Sequence, residues 1–363
     1  MHESWRGVFG SLSCIMNTRI MELVIPVIFV MTGICSCSSF ETQYLKSLNI
    51  EYELISAVDS ISLETYGAYA PNKIVRVNDS LMLVSLWKGD HHLLLLNLND
   101  KESHQLFYIK RGRGPLEIAQ GGSLHMSENS AVYYDVTSST VVKMDVLKSL
   151  SMQMPVLDTL CCFAQKFPKP IYLRSYNEGF ISCNLADESY WYSLYNLKGD
   201  LISNVDALQY DILKQSKDCR ISIMASSLYC VNPSSTKVCV ANVVSSSISF
   251  AYINGSTLQE FKRYEISPPI IKSGGNGLSY ENISAFQDIA CNSDDVYLLY
   301  SGNMMRNDIL PSSECNHLIQ YSWDGTPSKH FVLDKNICSI SIHNNELFGC
   351  SEYPEAKIYK FLL

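Results

Sequence analysis

A short strand phrase that ends in a turn recurs six times along this chain, and this repeat constrains the fold most strongly. The copies begin at His92, Thr140, Trp191, Phe250, His317 and Ala356. When they are aligned at their last residues, successive copies are separated by 48, 51, 56, 70 and 38 residues. A period of roughly 50 residues built only from strands is typical of a β-propeller, in which each repeat forms one blade. The sequence therefore predicts an all-β fold with six blades.

Two further predicted strands precede each copy, with turn residues between them. The second strands are predicted to begin at Ser80, Ser130, Gly179, Ser227, Asp295 and Glu346. The first strands are predicted to begin at Ile74, Gly122, Pro170, Cys219, Ile283 and Ile337. The connections are rich in Asn, Asp and Gly, which favour tight turns between antiparallel neighbours. Each unit is thus predicted to be a run of hairpins.

The outer strand of each blade is the weakest part of the pattern. It is clearest after the first unit, in the run 104–112, whereas the sixth unit reaches Leu363 with its third strand. An uncovered sheet edge exposes unpaired backbone groups. We therefore expect the segment 50–58 to pair with the strand at 357–363 and to close the ring. The alternative is an independent strand packed on the outside.

The composition fits one large folded domain. Hydrophobic residues make up 47% of the chain and charged residues 18%, which is ample material for a packed core. We expect residues 49–363 to form a single six-bladed propeller and residues 37–48 to form a linker. The formal net charge of −8 argues against nucleic acid as a partner. We expect a monomer.

The N-terminus predicts export and lipid attachment. Twelve apolar residues from Leu23 are too few to span a bilayer but suit the central region of a secretory signal. The following segment 34–39 resembles a bacterial lipobox, in which a small residue, here Ser36, precedes a lipidated cysteine, here Cys37. We expect residues 1–36 to be a signal peptide and the mature protein to be lipid-anchored in the cell envelope, at the outer membrane. The alternative is an uncleaved anchor or a buried strand.

Ten cysteines follow Cys37. Several fall in predicted strands, where a cysteine commonly acts as a small apolar filler. We expect mostly buried thiols, with a disulfide framework as the alternative.

Motifs for catalysis and metal binding are missing from the sequence. The cysteine and histidine spacings match no zinc or dithiol site, and there is no nucleophile elbow or phosphate loop. We therefore expect no catalytic residue, no metal and no cofactor. Two alternatives stay open: carboxylates such as Glu117, Asp135 and Asp288 could converge on a central channel, or a propeller enzyme of the lyase or lactonase type could hold a calcium ion there.

One local motif stands out, at residues 110–118 between the first and second units. Here the chain resembles the six-bladed TolB-like or NHL-like propeller lipoproteins of Bacteroidetes, in which a Gly-x-Gly-Pro-Gly-Glu-aromatic phrase recurs. Gly112, Gly114, Pro115 and Glu117 match that phrase, while Leu116 and Ile118 replace its last glycine and its aromatic residue. The resemblance covers nearly all of the mature chain and implies the propeller fold and the lipid anchor.

Two interpretations of this motif stay open. Its glycines permit positive φ and close backbone approach, which suits a purely structural turn. Alternatively, Arg111 and Arg113, with Glu117, face a central funnel and bind a carboxylate or phosphate on a ligand.

Aromatic and polar residues cluster on loops that a propeller places on one face. Those we expect to contribute to ligand binding are Trp87, His91, Tyr190, Trp191 and Arg306. Such loops suit the capture of a sugar or a peptide. The alternative is that the aromatic rings pack against the next blade. We therefore expect a non-enzymatic envelope propeller that binds an envelope protein, a peptide or a carbohydrate through its funnel and loop face.

Overall fold

Antiparallel strands make up most of the described part of the chain. The computed structural model describes residues 43–99, 106–107, 109–114, 117–119, 121–127, 129–163, 170, 172–183, 188–211, 217–272, 278–279, 281–304 and 315–363. Six separate sheets form, and each contains one of the predicted repeats. The prediction of an all-β, six-bladed propeller is confirmed. No helix among these residues is long and apolar enough to cross a membrane.

The described chain begins with elements that pack onto later blades. These are helix α1 (Gln43–Leu48), strands β1 (Tyr52–Ile55) and β2 (Asp59–Ser62), and a 3₁₀ turn (Glu64–Tyr66). Blade 1 then contains β3 (Pro71–Arg76), β4 (Leu81–Leu86), β5 (Leu93–Asn97) and β6 (Leu106–Phe107). Blade 2 contains β7 (Gly121–Ser127), β8 (Ser130–Asp135), β9 (Thr140–Asp145) and β10 (Leu157–Cys162), with helix α2 (Val146–Met152) before its last strand.

Blades 3 to 6 follow in chain order. Blade 3 contains β11 (Leu173–Tyr176), β12 (Gly179–Cys183), β13 (Tyr190–Asn196) and β14 (Leu201–Asp206). Helix α3 (Lys217–Ala225) leads into blade 4, with β15 (Ser227–Val231), β16 (Lys237–Asn242), β17 (Ser247–Asn254) and β18 (Thr257–Glu265). Blade 5 contains β19 (Ile283–Cys291), β20 (Asp295–Met304), β21 (Cys315–Ser322) and β22 (Pro327–Ile337). Blade 6 contains β23 (Ser339–His343), β24 (Glu346–Ser351) and β25 (Lys357–Leu362).

Asparagine side chains fix the turn between the first and second strands in three blades. Asn78, Asn232 and Asn292 occupy the same place in blades 1, 4 and 5, and each Oδ1 accepts backbone N–H groups of the residues that follow it. This side-chain turn replaces a backbone hydrogen bond and reverses the chain within a few residues.

The hydrophobic core lies between the blades rather than at the centre of the ring. A cluster of buried residues fills each of the six interfaces between neighbouring blades. Strands such as β4 and β8 are buried along their whole length because both of their faces contact a neighbouring blade. This burial explains why the second strands read as continuous apolar runs rather than as alternating ones.

The ring is closed by an N-terminal strand, as predicted, but not by the predicted segment. Strand β2 pairs antiparallel with β25, from Asp59 opposite Lys360 to Ser62 opposite Lys357. The predicted pairing of residues 50–58 with this strand is wrong, because β1 instead runs parallel to β22 at the outer edge of blade 5. Strand β2 has the sequence Asp-Ser-Ile-Ser, and Asp and Ser are more typical of turns than of strands. Pairing with β25 imposes the extended conformation.

Blade 4 differs from the prediction in its strand assignment. The run that begins at Cys219, predicted as a first strand, is helical in α3. Its buried residues Cys219, Ile223 and Met224 lie at positions i, i+4 and i+5, which fits one face of a helix and not the alternation of a strand. As a result, β15 is the first strand of this blade, and β16, which was not predicted, is the second.

Helix α1 belongs to the folded body. The compact unit runs from Gln43 to Leu363, so residues 43–48 of the predicted linker are part of it. Tyr44 is fully buried between blades 4 and 5, where its ring contacts Phe286 and Tyr300. Its hydroxyl lies 3.0 Å from that of Tyr321.

The ten cysteines after Cys37 are thiols in the structure, and most of them are buried. The Sγ atoms of Cys338 and Cys350 lie 3.6 Å apart.

Candidate functional site

The first strands of blades 1 to 5 border one cavity on the propeller axis, which we call the axial cavity, and Cys338 and Glu352 beside strands of blade 6 complete its lining. It has a volume of about 390 Å³. Polar side chains from the first strands of four blades line it, namely Asn72, Lys73, Ser123, His125, Arg174, Gln287 and Asp288. This volume is within the range typical of small-molecule sites.

A second cavity opens beside it between blades 1 and 2, and we call it the side cavity. Its volume is about 540 Å³, and its lining includes His92, Arg111 and Arg113. Residues that line both cavities are Asn72, Ser85, Trp87, Gly121 and Tyr133. The two cavities therefore adjoin along a shared wall, and Trp87, which is 53% exposed, is part of that wall.

Asp288 ties three blades together at the axial cavity. Its carboxylate oxygens accept hydrogen bonds from the Lys73 ammonium of blade 1 at 2.5 and 2.7 Å. They also accept from the Ser339 hydroxyl at 2.6 Å and the Ile340 N–H at 2.8 Å, both in blade 6. The carboxylate is therefore held by charge and hydrogen bonds in a buried position.

His125 lies in the wall of the same cavity and is 1% exposed. Its Nε2 accepts the backbone N–H of Ser175 at 3.0 Å, so the proton of the neutral ring is on Nδ1. Burial, and then the charges of Arg174 and Lys73, lower the pKa of His125 well below the usual histidine value. The ring is therefore a neutral N–H donor, and its buried Nδ1 has no partner among the described residues.

Other polar groups of the axial cavity also lack partners within the described part of the chain. The Oδ1 atom of Asn72 and the Oγ atom of Ser123 are buried without a hydrogen bond. The guanidinium of Arg174, a half-buried residue, forms no hydrogen bond or ion pair with another described residue. Buried polar atoms normally have a partner, so these groups mark the place where a polar ligand or water would be bound.

The motif at 110–118 forms a tight turn around a carboxylate. Glu117 Oε2 accepts the backbone N–H of Gly114 at 2.7 Å. A Cβ atom on Gly112 would lie 2.0 Å from the same oxygen, so this glycine permits the close approach of the side chain. Neither Gly112 nor Gly114 has a positive φ. The carboxylate of Glu117 thus stabilises its own turn.

The two arginines of this motif differ in what they bind. The Arg111 guanidinium donates from Nε to the Gly89 carbonyl at 3.1 Å and from Nη2 to the Leu86 carbonyl at 3.0 Å. Arg111 therefore fixes the loop that carries Trp87. Arg113 is exposed and forms no ion pair with a described residue. Both arginines line the side cavity.

The structure places the other predicted site residues apart from the two cavities. His91 is half-buried and forms an isolated bridge with Lys110. Tyr190 is half-buried at the start of β13, opposite Asp206. Trp191 is fully buried between blades 3 and 4, and its Nε1 donates to the Ser227 hydroxyl at 2.9 Å, so it packs against the next blade. Arg306 and Cys37 lie outside the described residues.

The three carboxylates considered for a central channel do not converge. Only Asp288 lines the axial cavity. Asp135 accepts from Thr137 and Ser138 in the turn after β8, and Glu117 is held in its own turn. Among the described residues there is no group of three or more His, Cys, Asp or Glu side chains that is arranged to hold a metal ion.

Sequence reasoning missed several residues of the axial cavity, Lys73, His125 and Arg174 above all. Each lies in the first strand of a blade, and these strands were located in the sequence. The sequence feature that could have indicated them is a polar residue in a first strand, at a position where an apolar residue would pack between blades.

Comparisons with known proteins agree with the architecture. A family model described as TolB-like 6-blade propeller-like matches residues 53–345. No curated protein matches the chain.

Solved propellers of several kinds are similar at low identity. Regucalcin from Agrobacterium tumefaciens strain C58, described as a calcium-binding protein, is 11% identical with a TM-score of 0.49, covering 85% of this chain and 95% of that chain. The Cps50 (Swd1) propeller domain of Myceliophteria thermophila is 10% identical with a TM-score of 0.44, over 81% and 83% of the two chains. BamB from Moraxella catarrhalis is 9% identical with a TM-score of 0.38, over 81% and 83%.

Proposed function

This chain belongs to the TolB-like 6-blade propeller-like family, and we propose from that premise that it is a lipid-anchored envelope protein that binds a ligand. The ligand is a small polar molecule, or a polar group of a larger envelope partner, held in the axial and side cavities. The protein does not catalyse a reaction on it. The observation that carries this proposal is the set of buried, unpartnered polar atoms in the wall of the axial cavity.

The binding role is supported by the hydrogen bonds that the titratable groups of the axial cavity already form within the protein. General acid–base catalysis needs a group that can exchange a proton with the substrate. Asp288 is saturated by Lys73, Ser339 and Ile340, and the Nε2 atom of His125 is occupied by Ser175. Both groups therefore hold the blades together, while Arg174 and the nearby polar atoms stay available to a ligand.

A test of binding compares two tryptophan variants. Thr137 is exposed and lines the side cavity, so Thr137→Trp fills that cavity from its mouth. Ser256→Trp places the same ring on an exposed turn of blade 4 and is the matched control. Native mass spectrometry of the full chain from its natural host should show an additional bound mass in the wild type and in Ser256→Trp that is lost in Thr137→Trp. Equal bound mass in both variants, or none in the wild type, contradicts the proposal.

Lipid anchoring is supported by the sequence of residues 23–37 and by the resemblance to the Bacteroidetes lipoproteins. A membrane-attached mature chain should incorporate radiolabelled palmitate and fractionate with the outer membrane. Cys37→Ala should abolish the labelling, whereas Cys35→Ala should preserve it. Unchanged labelling in Cys37→Ala contradicts the proposed anchor.

The alternative function is a lyase-type or lactonase-type enzyme with a calcium ion in the channel. At Asp288, the axial-cavity carboxylate, the Lys73 ammonium already contacts both oxygens at 2.5 and 2.7 Å, which is the position a cation would take. Elemental analysis of the purified chain discriminates between the two functions. Calcium at one equivalent per chain, with lactone hydrolysis that a chelator abolishes, would favour the enzyme.

A further inference from the structure

We propose that the ligand is an anionic saccharide, whose acidic group binds Arg174 and whose sugar ring lies against Trp87. This inference rests on the proposed binding function and names its ligand class. It is argued from three independent features of the two cavities: their charge, their unpartnered hydrogen-bonding atoms and the aromatic ring between them.

The charge of the cavity walls selects an anion. Lys73 and Asp288 neutralise each other, so Arg174 is the cation of the axial cavity that has no ion-pair partner among the described residues. Glu352 stands at the edge of this cavity, where Lys88 lies 3.9 Å from its carboxylate. The side cavity adds Arg111 and Arg113, and no carboxylate is among the described residues that line it. A guanidinium binds a carboxylate or phosphate through two parallel hydrogen bonds.

The unpartnered atoms select a ligand rich in hydroxyl groups. Asn72 Oδ1 is an acceptor, His125 Nδ1 is a donor, and the Ser123 hydroxyl can be either. A sugar hydroxyl both donates and accepts, so neighbouring hydroxyls on one ring can satisfy all three kinds of group. An inorganic anion without an O–H group, such as sulfate, only accepts and leaves the Asn72 oxygen unsatisfied, at a cost typical of a buried unpaired acceptor.

Trp87 supplies the apolar surface that a sugar ring requires. Trp87 is half-exposed and lines both cavities, the axial one together with Arg174 and the side one together with Arg113. The apolar face of a pyranose packs on an aromatic ring, while the rim of the pyranose keeps its hydroxyls in polar surroundings. A short acidic oligosaccharide can therefore cross the shared wall with one charged group in each cavity.

The first experiment measures affinity for defined probes by isothermal titration calorimetry with the full mature chain. Digalacturonate tests a carboxylate, with its dimethyl ester as the neutral match. Glucose 6-phosphate tests a phosphate, with glucose as the neutral match. A tetra-glutamate peptide represents an acidic peptide. We expect at least one acidic sugar to bind, and its neutral match to bind at least tenfold more weakly, because the charge-assisted hydrogen bonds to arginine are lost.

The second experiment uses matched charge variants. Arg174→Gln should weaken the acidic sugar at least tenfold and leave the weak binding of the neutral match unchanged. Lys198→Gln removes the same charge from an exposed turn of blade 3 and should have no effect. Circular dichroism shows whether Arg174→Gln folds. If it does not, Arg113→Gln, on an exposed loop, is the second variant of the proposed site.

The outcomes separate this inference from the proposed function. Equal binding of the acid and its neutral match, or tighter binding of the peptide than of any sugar, overturns the anionic saccharide but keeps the binding propeller. Failure of both acidic sugars to bind also overturns the anionic saccharide. In that case a bound mass that is lost in Thr137→Trp would still support the proposed function. Loss of that bound mass in every sample contradicts the proposed function itself.

Discussion

The Lys73 ammonium and the Asp288 carboxylate join the first and fifth blades across the propeller axis, with Nζ 2.5 Å from Oδ1 and 2.7 Å from Oδ2. The lysine side chain is 21% exposed and the aspartate side chain 7%. Since Ser339 and Ile340 of blade 6 also donate to this carboxylate, it links blades that are distant in sequence. Its placement makes the axial cavity wall rigid and electrically neutral at this point.

Removal of this carboxylate should destabilise the fold strongly. Asp288→Ala leaves a half-buried ammonium and two donors without partners, so we expect the free energy of unfolding to fall by about 3–5 kcal/mol. Lys73→Met should cost less, because the carboxylate keeps its other donors. Lys88→Gln, which removes an exposed pair with a separation of 3.9 Å, should change stability by less than about 1 kcal/mol. Urea unfolding measures all three, and equal losses for Asp288→Ala and Lys88→Gln contradict the assigned role.

Tyr44 should stabilise the ring although it precedes the first blade. Tyr44→Ala removes a fully buried ring from the interface of blades 4 and 5, for an expected loss of about 3–5 kcal/mol. Tyr44→Phe removes only the hydroxyl contact with Tyr321, for about 1 kcal/mol. Tyr69→Ala, at a tyrosine that is 65% exposed, is the control. If Tyr44→Ala were as mild as the control in urea unfolding, helix α1 would not contribute to the fold.

Two glycines should respond differently to alanine. At Gly179 a Cβ atom would lie 1.9 Å from the backbone oxygen of Tyr195, which cannot move without breaking the β12–β13 pairing. At Gly112 it would meet the end of the Glu117 side chain, which can rotate away. We expect Gly179→Ala to lose about 3 kcal/mol or to fail to fold, and Gly112→Ala to lose about 1 kcal/mol. Thermal unfolding measures both losses. A larger loss for Gly112→Ala than for Gly179→Ala would contradict the prediction.

Stability should decrease as the pH falls below about 6.5. Burial, and then the neighbouring His317, lower the pKa of His330 to about 4, and burial likewise lowers the pKa values of His92 and His125. Between these native values and the usual value of about 6.5, the unfolded chain binds protons that the native chain does not, which favours unfolding.

For His330 alone the expected loss between pH 7 and pH 5 is about 2 kcal/mol. His330→Gln should therefore show a smaller decrease over this range than the wild type. Urea unfolding at both pH values measures the difference, and parallel decreases in the two proteins would contradict the assignment.

The local chemistry of the chain made much of this architecture predictable. Asn78 and Asn292 stand at the ends of first strands, and the apolar runs of β4 and β8 stand between turns, so the hairpins could be located from neighbouring residues alone. Because the same order of hairpins recurs in each repeat, the number of repeats predicts the number of blades. The turn with Gly112 and Glu117 was also predictable, although the close approach of the Glu117 side chain, and not a positive φ, explains the glycine.

The sequence by itself determined six blades and the order of strands in five of them, because turns and strand patterns depend on residues that are close along the chain. Only the tertiary structure decided that Asp59–Ser62 closes the ring, that the run from Cys219 is helical, and that Lys73, His125 and Arg174 share one cavity. A segment with a weak intrinsic preference for the β conformation becomes extended when the open edge of a sheet, here β25, supplies its backbone hydrogen bonds. Side chains from distant blades meet at the axis only once the ring has closed, so no local pattern records their proximity.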